Sequence, residues 1–153
     1  MAYNGLEKDL SLLSKFVFIY EKRIKSLEKQ ADFMTAFSHA NELYEQSIKP
    51  YVSHSKIKKL ILDPHKDKKY TLRFTKKYAQ ILSFCCHLRN SFVHGLLIKC
   101  GNKLQIKDEN RHKTTSSDGY LDYKTVRNFL LAIIDEYEEY GFQTDCSSSK
   151  EKA

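Results

Sequence analysis

The residues best suited to chemistry fall in one stretch, HLRNSFVHG (87–95), which holds an arginine, an asparagine and two histidines. Arginine carries a permanent forked cation that fits phosphate oxygens. Histidine can take or give a proton near neutral pH. An amide between them can orient the ring or contact a phosphate. Arg89, Asn90 and His94 together therefore suit a phosphodiester. RNA brings its own nucleophile, the 2′-hydroxyl. A protein that cleaves it needs in-line positioning, charge stabilisation and proton transfer. The expected catalytic set is Arg89, Asn90 and His94, with no metal ligand and no cofactor.

These side chains need a rigid element to hold them. The spacing predicts a helix over 71–96, with Phe74, Tyr78, Ile81, Cys85, Leu88, Phe92 and Leu96 as its apolar stripe. Ser83, His87, Asn90 and His94 follow one another at steps of four, three and four. They form a second stripe nearly opposite the core. Arg89 is one position off this line, and its side chain is long enough to curl back toward His94.

The rest of the chain also reads as mainly helical. Leu6, Leu10, Leu13, Val17, Tyr20, Ile24 and Leu27 recur at helical spacing. A single helix from there to residue 49 would exceed the width of a domain this size. A break is expected near 30–32, with Asp32 as N-cap. A second helix over 33–49 puts Phe33, Phe37, Ala40, Tyr44 and Ile48 on one face, and Pro50 ends it. Residues 55–62 predict a short helix and 63–69 a basic loop. Gly101-Asn102 predicts a small hairpin pairing 97–99 with 104–107. An exposed loop is expected over 109–119. The last helix begins at Asp122 as N-cap, buries Val126, Leu130, Ile133, Tyr137 and Tyr140, and stops at Gly141. The expected architecture is all-α: an up-and-down bundle of four to five helices with a small β-hairpin inserted before the last. It forms one domain over 1–142, followed by a disordered tail over 143–153.

Composition narrows the function classes. The 153 residues are 41% hydrophobic and 29% charged, enough for a packed core. No secretory signal and no apolar run long enough for a membrane span is read, so a cytoplasmic protein is expected. Cys85, Cys86, Cys100 and Cys146 form no CxxC pair, which favours reduced thiols over a disulfide framework or a zinc site. A relay from Cys86 to His87 is disfavoured, because adjacent helical residues point about 100° apart.

The net charge of +7 is confined to one segment. Residues 56–77 hold nine Lys/Arg against Asp63 and Asp67, while the remainder has seventeen residues of each sign. Such a segment is either a solvated loop or a grip for a polyanion, with RNA the first choice. The expected RNA-guiding residues are Lys66, Lys68 and Lys69 in that segment, with Lys99 and Arg111 beyond it. His87 shares the polar stripe and is assigned either an RNA contact or a structural or interfacial place.

RNSFVH (Arg89 to His94) resembles the signature of HEPN domains, which is Arg, a polar residue, then His after a short, mainly non-polar spacer. The helix plan from Leu6 to Phe142 is similar to the family's bundle, with the motif late in the third long helix. The hairpin after the motif is similar to that of small prokaryotic HEPN proteins. The resemblance implies a metal-independent endoribonuclease that leaves a 2′,3′-cyclic phosphate. It also implies a homodimer with a composite active site, and a toxin–antitoxin or phage-defence setting with an antitoxin or other inhibitory protein. Arg89 and His94 would be the catalytic pair and Asn90 their polar helper. Ser91 departs from the pattern, standing where many members have an apolar residue. The family also contains inactive members, so a nucleotide-binding or protein-interaction module is the alternative.

Overall fold

The computed structural model describes residues 4–55, 72–75, 79–109 and 115–141. The chain enters through a 3-10 turn, Glu7–Asp9, and continues as α1 (Leu10–Lys22). A second 3-10 turn, Ile24–Ser26, leads to α2 (Gln30–Ala36) and α3 (Ser38–Leu43), which a π-turn extends over Tyr44–Ile48. After a 3-10 turn at Lys49–Tyr51 come β1 (Val52–Ser55) and β2 (Leu72–Thr75). Helix α4 (Gln80–Val93) is followed by β3 (Leu97–Cys100), β4 (Lys103–Ile106), β5 (Asp108–Glu109) and β6 (Thr115–Asp122). Helix α5 (Tyr123–Glu136) ends in a π-turn over Tyr137–Gly141.

The fold is mostly helical, with a sheet larger than the sequence predicts. The expected hairpin is present as β3 and β4, with Leu97 opposite Ile106 and Cys100 opposite Lys103. It is one edge of a six-stranded sheet in the order β1-β2-β6-β4-β3, with β5 also on β6. Two expectations are thereby corrected. The helix expected from residue 71 starts at Gln80, and Leu72–Thr75 is a strand between β1 and β6. The loop expected over 109–119 contributes Thr115–Asp122, the middle strand of the sheet. Strand β6 pairs with β4 and β5 in one continuous register, from Lys103↔Asp122 to Asp108↔Ser117, and slips only at Glu109. Neighbouring strands decide this conformation more than its Ser-rich sequence does.

The first long helix also differs. It breaks at Arg23 (φ −131°) rather than near 30–32, and Asp32 lies in the first turn of α2 behind Lys29 at the cap. The second predicted face holds: Phe33, Phe37, Ala40, Tyr44 and Ile48 are all buried, although Phe37 (φ −134°, ψ 60°) bends the helix in two. The last helix begins as predicted, with the Asp122 carboxylate accepting from Thr125 N–H at 3.1 Å. The short helix expected over 55–62, the basic loop, and the tail from 143 lie outside the described residues, apart from Ser55 in β1. No helix among the described residues is long and apolar enough to cross a membrane.

The core joins the helices to the sheet through aromatic rings. Phe84 of α4 meets Phe129 of α5 at 5.6 Å, Tyr44 at 5.4 Å and Phe74 of β2 at 6.3 Å. Each such pair adds about 0.5–1.5 kcal/mol beyond the burial of its area. These contacts fix α4 from both sides, with helices on one and strands on the other.

Candidate functional site: a polar network on the fourth helix

The stripe Ser83, His87, Asn90 and His94 does not face water. It faces the sheet. Ser83 and His87 are buried, Asn90 is half-buried, and only His94 is exposed. The expectation took other helices as the packing partners of α4, whereas the sheet covers its second face. Polar groups buried there must find partners, and the partner is Asp108.

Strand β4 explains how a carboxylate comes to point inward. Side chains alternate along a strand, and Leu104 and Ile106 are buried while Lys103, Gln105 and Lys107 are less so. Asp108 is the next residue in the inward row and is 5% exposed. Its Oδ2 accepts from His87 Nδ1 at 2.9 Å and from Asn90 Nδ2 at 3.0 Å. Its Oδ1 faces His94 Nδ1 at 4.0 Å. Ser91, the departure from the motif pattern, accepts a hydrogen bond from Lys107 N–H at 3.1 Å. The hydroxyl pins α4 to the strand beside Asp108, which an apolar residue there could not do.

Burial alone would raise the pKa of Asp108. Hydrogen bonds from His87 and Asn90, with the charges of His87 and His94, outweigh it and hold the carboxyl below its ordinary value. The group is therefore an anion at neutral pH.

Arg89 extends the network to α1. Its Nη1 donates to Asn90 Oδ1 at 2.8 Å, and its Nη2 pairs with Glu21 Oε1 at 2.7 Å. Asn90 thus uses both ends of its amide, receiving from Arg89 and giving to Asp108. Glu21 also pairs with Lys25 at 3.2 Å, and hydrogen bonding to Lys25 leads the effects that hold its carboxyl below the ordinary value. Arg89 does not curl back onto His94. The two are linked through Asn90 and Asp108.

The backbone sets His94 at the end of α4. Gly95 takes φ 73°, and its N–H bonds Phe92 O at 3.1 Å while Leu96 N–H bonds Ser91 O at 2.8 Å. This is the paired bonding of a Schellman cap, which favours glycine. It turns the chain into β3 and leaves the His94 side chain 48% exposed at the helix end. Asn4 holds the turn from outside, donating to Gly95 O at 3.0 Å.

Searches against protein-family models, curated proteins and solved structures find no match. The assignment therefore rests on the residues. Arg89, Asn90 and His94 do share one surface region, joined by Asp108 and flanked by Glu21. His87 is too buried for direct contact with RNA; its ring packs on Phe74 at 5.5 Å. This corrects its expected place as an RNA contact and favours the structural alternative. The Lys99 ammonium stands 4.6 Å over the Tyr123 ring, away from this network. Lys66, Lys68, Lys69 and Arg111 lie outside the described residues.

Sequence reasoning missed Asp108 and Glu21. The first carried a signal, a charge in step with Leu104 and Ile106 on an alternating strand. The second carried none, because only the packing of α1 on α4 brings it to Arg89.

Proposed function

We propose that the chain is a metal-independent endoribonuclease of the HEPN type. The observation that carries the reading is the direct Arg89–Asn90 bond beside a solvent-facing His94 on the same helix end. This gives a cation for a phosphate, an amide that orients it, and an exposed imidazole about one and a half turns on. In the proposed reaction the 2′-oxygen attacks phosphorus and the bond from phosphorus to the 5′-oxygen breaks. A cyclic 2′,3′-phosphate and a 5′-hydroxyl result. Arg89 stabilises the charge on the phosphoryl oxygens, and His94 serves proton transfer.

The arrangement of α1, the α2–α3 pair, α4 and α5 fits the helix plan of that family, with the sheet laid over the motif helix. Val93, next to His94, is 48% exposed. An apolar residue beside the site supports a second copy of the chain packing there to form a composite cleft. The family setting adds a toxin or phage-defence role under an inhibitory partner. RNA binding that relies on the basic segment weakens steeply with salt.

The test is cleavage of a mixed RNA pool in EDTA by the wild type, Arg89→Ala and His94→Ala, each first shown to be folded. Cleavage that survives EDTA and is abolished by both substitutions supports the nuclease. RNA bound by all three proteins and cut by none overturns it in favour of an inactive binding module.

A further inference from the structure

We propose that Asp108 is the positioning residue of this site: its carboxylate holds Asn90 through one oxygen and directs the His94 imidazole through the other. The proposal rests on the nuclease reading for its role in a reaction, and on geometry for its contacts. The two carboxylate oxygens divide the work. Oδ2 accepts from His87 and Asn90. Oδ1 faces His94 at 4.0 Å. A small turn of the exposed imidazole brings Nδ1–H onto Oδ1, and catalytic hydrogen bonds commonly tighten in this way when substrate binds.

Three features make Asp108 a device for orientation rather than a stray buried acid. First, it occupies an inward position on a strand, so the sheet fixes its direction. Second, His87 is buried behind it and donates to it, which prevents the carboxylate from rotating away. Third, Ser91 ties the neighbouring Lys107 backbone to α4. The distance from the strand to the helix end is thus held at two adjacent residues. A carboxylate that accepts from Nδ1–H fixes the tautomer with Nε2 toward solvent, which is where a scissile phosphate would lie.

The proton balance follows. The bond from the 2′-oxygen to phosphorus forms, and the 2′-hydroxyl proton passes to water. The bond from phosphorus to the 5′-oxygen breaks, and His94 Nε2–H gives its proton to that oxygen. His94 recovers a proton from solvent. Asp108 keeps its charge throughout and stabilises the imidazolium before the transfer.

Other titratable and polar groups surround this pair. On α4 they are His87, Arg89 and Cys86. On α1, Glu21 is held by Arg89 and Lys25. Beside Asp108, Lys107 and Glu109 pair with each other at 3.3 Å. From β6, Ser116 and Ser117 present neutral hydroxyls. Asp108 is the carboxylate paired in space with His94 among the described residues.

The experiment compares the wild type with Asp108→Asn, which keeps the shape and removes the charge. If His94 is the acid, its protonated form is needed, so the alkaline limb of the pH–rate profile reports it. Loss of the neighbouring carboxylate makes the cation less favourable and moves that limb to lower pH. A 15N titration of the labelled histidine rings reads the same displacement at His94 without any activity. In the wild type, 15N shifts also report the neutral tautomer, which is expected to carry its proton on Nδ1. An unmoved His94 titration in folded Asp108→Asn, or a wild-type neutral tautomer protonated on Nε2, overturns the proposal. If Asp108→Asn does not fold, the wild-type tautomer alone decides. A wild type that cleaves no RNA defeats the nuclease reading, while the ring measurements still judge the Asp108 contact.

Discussion

Replacing His87 with leucine isolates the energetic role of the buried pair. Leucine fills most of the ring's volume, so the main loss is the donor to Asp108 Oδ2. Removing one partner of a buried ion pair costs about 3–5 kcal/mol. A hydrogen bond to a charged group contributes about 1.5–3 kcal/mol. Asn90 still donates to the same oxygen, so the lower part of these ranges applies. We expect His87→Leu to lose about 2–3 kcal/mol at neutral pH. That leaves a domain of ordinary stability folded.

The loss should depend on pH in a definite direction. The Asp108 carboxyl lies below its ordinary value in the folded protein, with His87 the leading cause of the lowering against burial. Its contribution is fully present above the unfolded value, near 3.9, and disappears as pH falls through the folded value. The difference between wild type and His87→Leu should therefore narrow below about pH 4. Urea denaturation followed by circular dichroism, at neutral pH and again near pH 3, measures both values. Adding Asp108→Leu should restore part of the stability, because an apolar pair leaves no charge buried. A cost below about 0.5 kcal/mol, or a cost that grows on acidification, would refute the reasoning.

Other substitutions test neighbouring contacts. Glu21→Gln removes the carboxylate from the Arg89 guanidinium and should tighten RNA binding; unchanged or weaker binding by fluorescence anisotropy would remove the phosphate from Arg89. Gly95→Ala places a side chain at φ 73°, where its Cβ would meet nothing within 4 Å. Its cost is then conformational, about 1 kcal/mol, seen as a lower Tm, and a stabilised variant would contradict the cap. Asp122→Ala should cost about 1 kcal/mol by loss of the N-cap, measured by the same denaturation; no change would mean that Thr125 N–H finds another acceptor.

Helical periodicity was legible wherever one face meets the core. The row from Phe33 to Ile48 and that from Val126 to Tyr137 show it, because burial repeats at 3.6 residues whatever the partner is. The Arg89–His94 motif was legible for a different reason: its residue types announce chemistry without any knowledge of packing. The sheet was not legible. LRFT extends the apolar register of α4 backwards, and TSSDGYLD has few residues that favour a strand by themselves. Both become strands by pairing with each other, a contact between distant segments. For the same reason the sequence places the polar stripe of α4 opposite the core without showing the sheet that covers it. A helical wheel displays opposite faces but not what covers them.

Strand β6 lies in the middle of the sheet and is the last strand among the described residues, with Leu72 of β2 waiting for Gly119. During synthesis, β2, β3, β4 and the whole of α4 leave the ribosome before the strand that joins them. Asp108 is fixed opposite Ser117, so it has no settled direction until β6 has emerged. A growing chain therefore carries Arg89 and His94 without the platform that orients them.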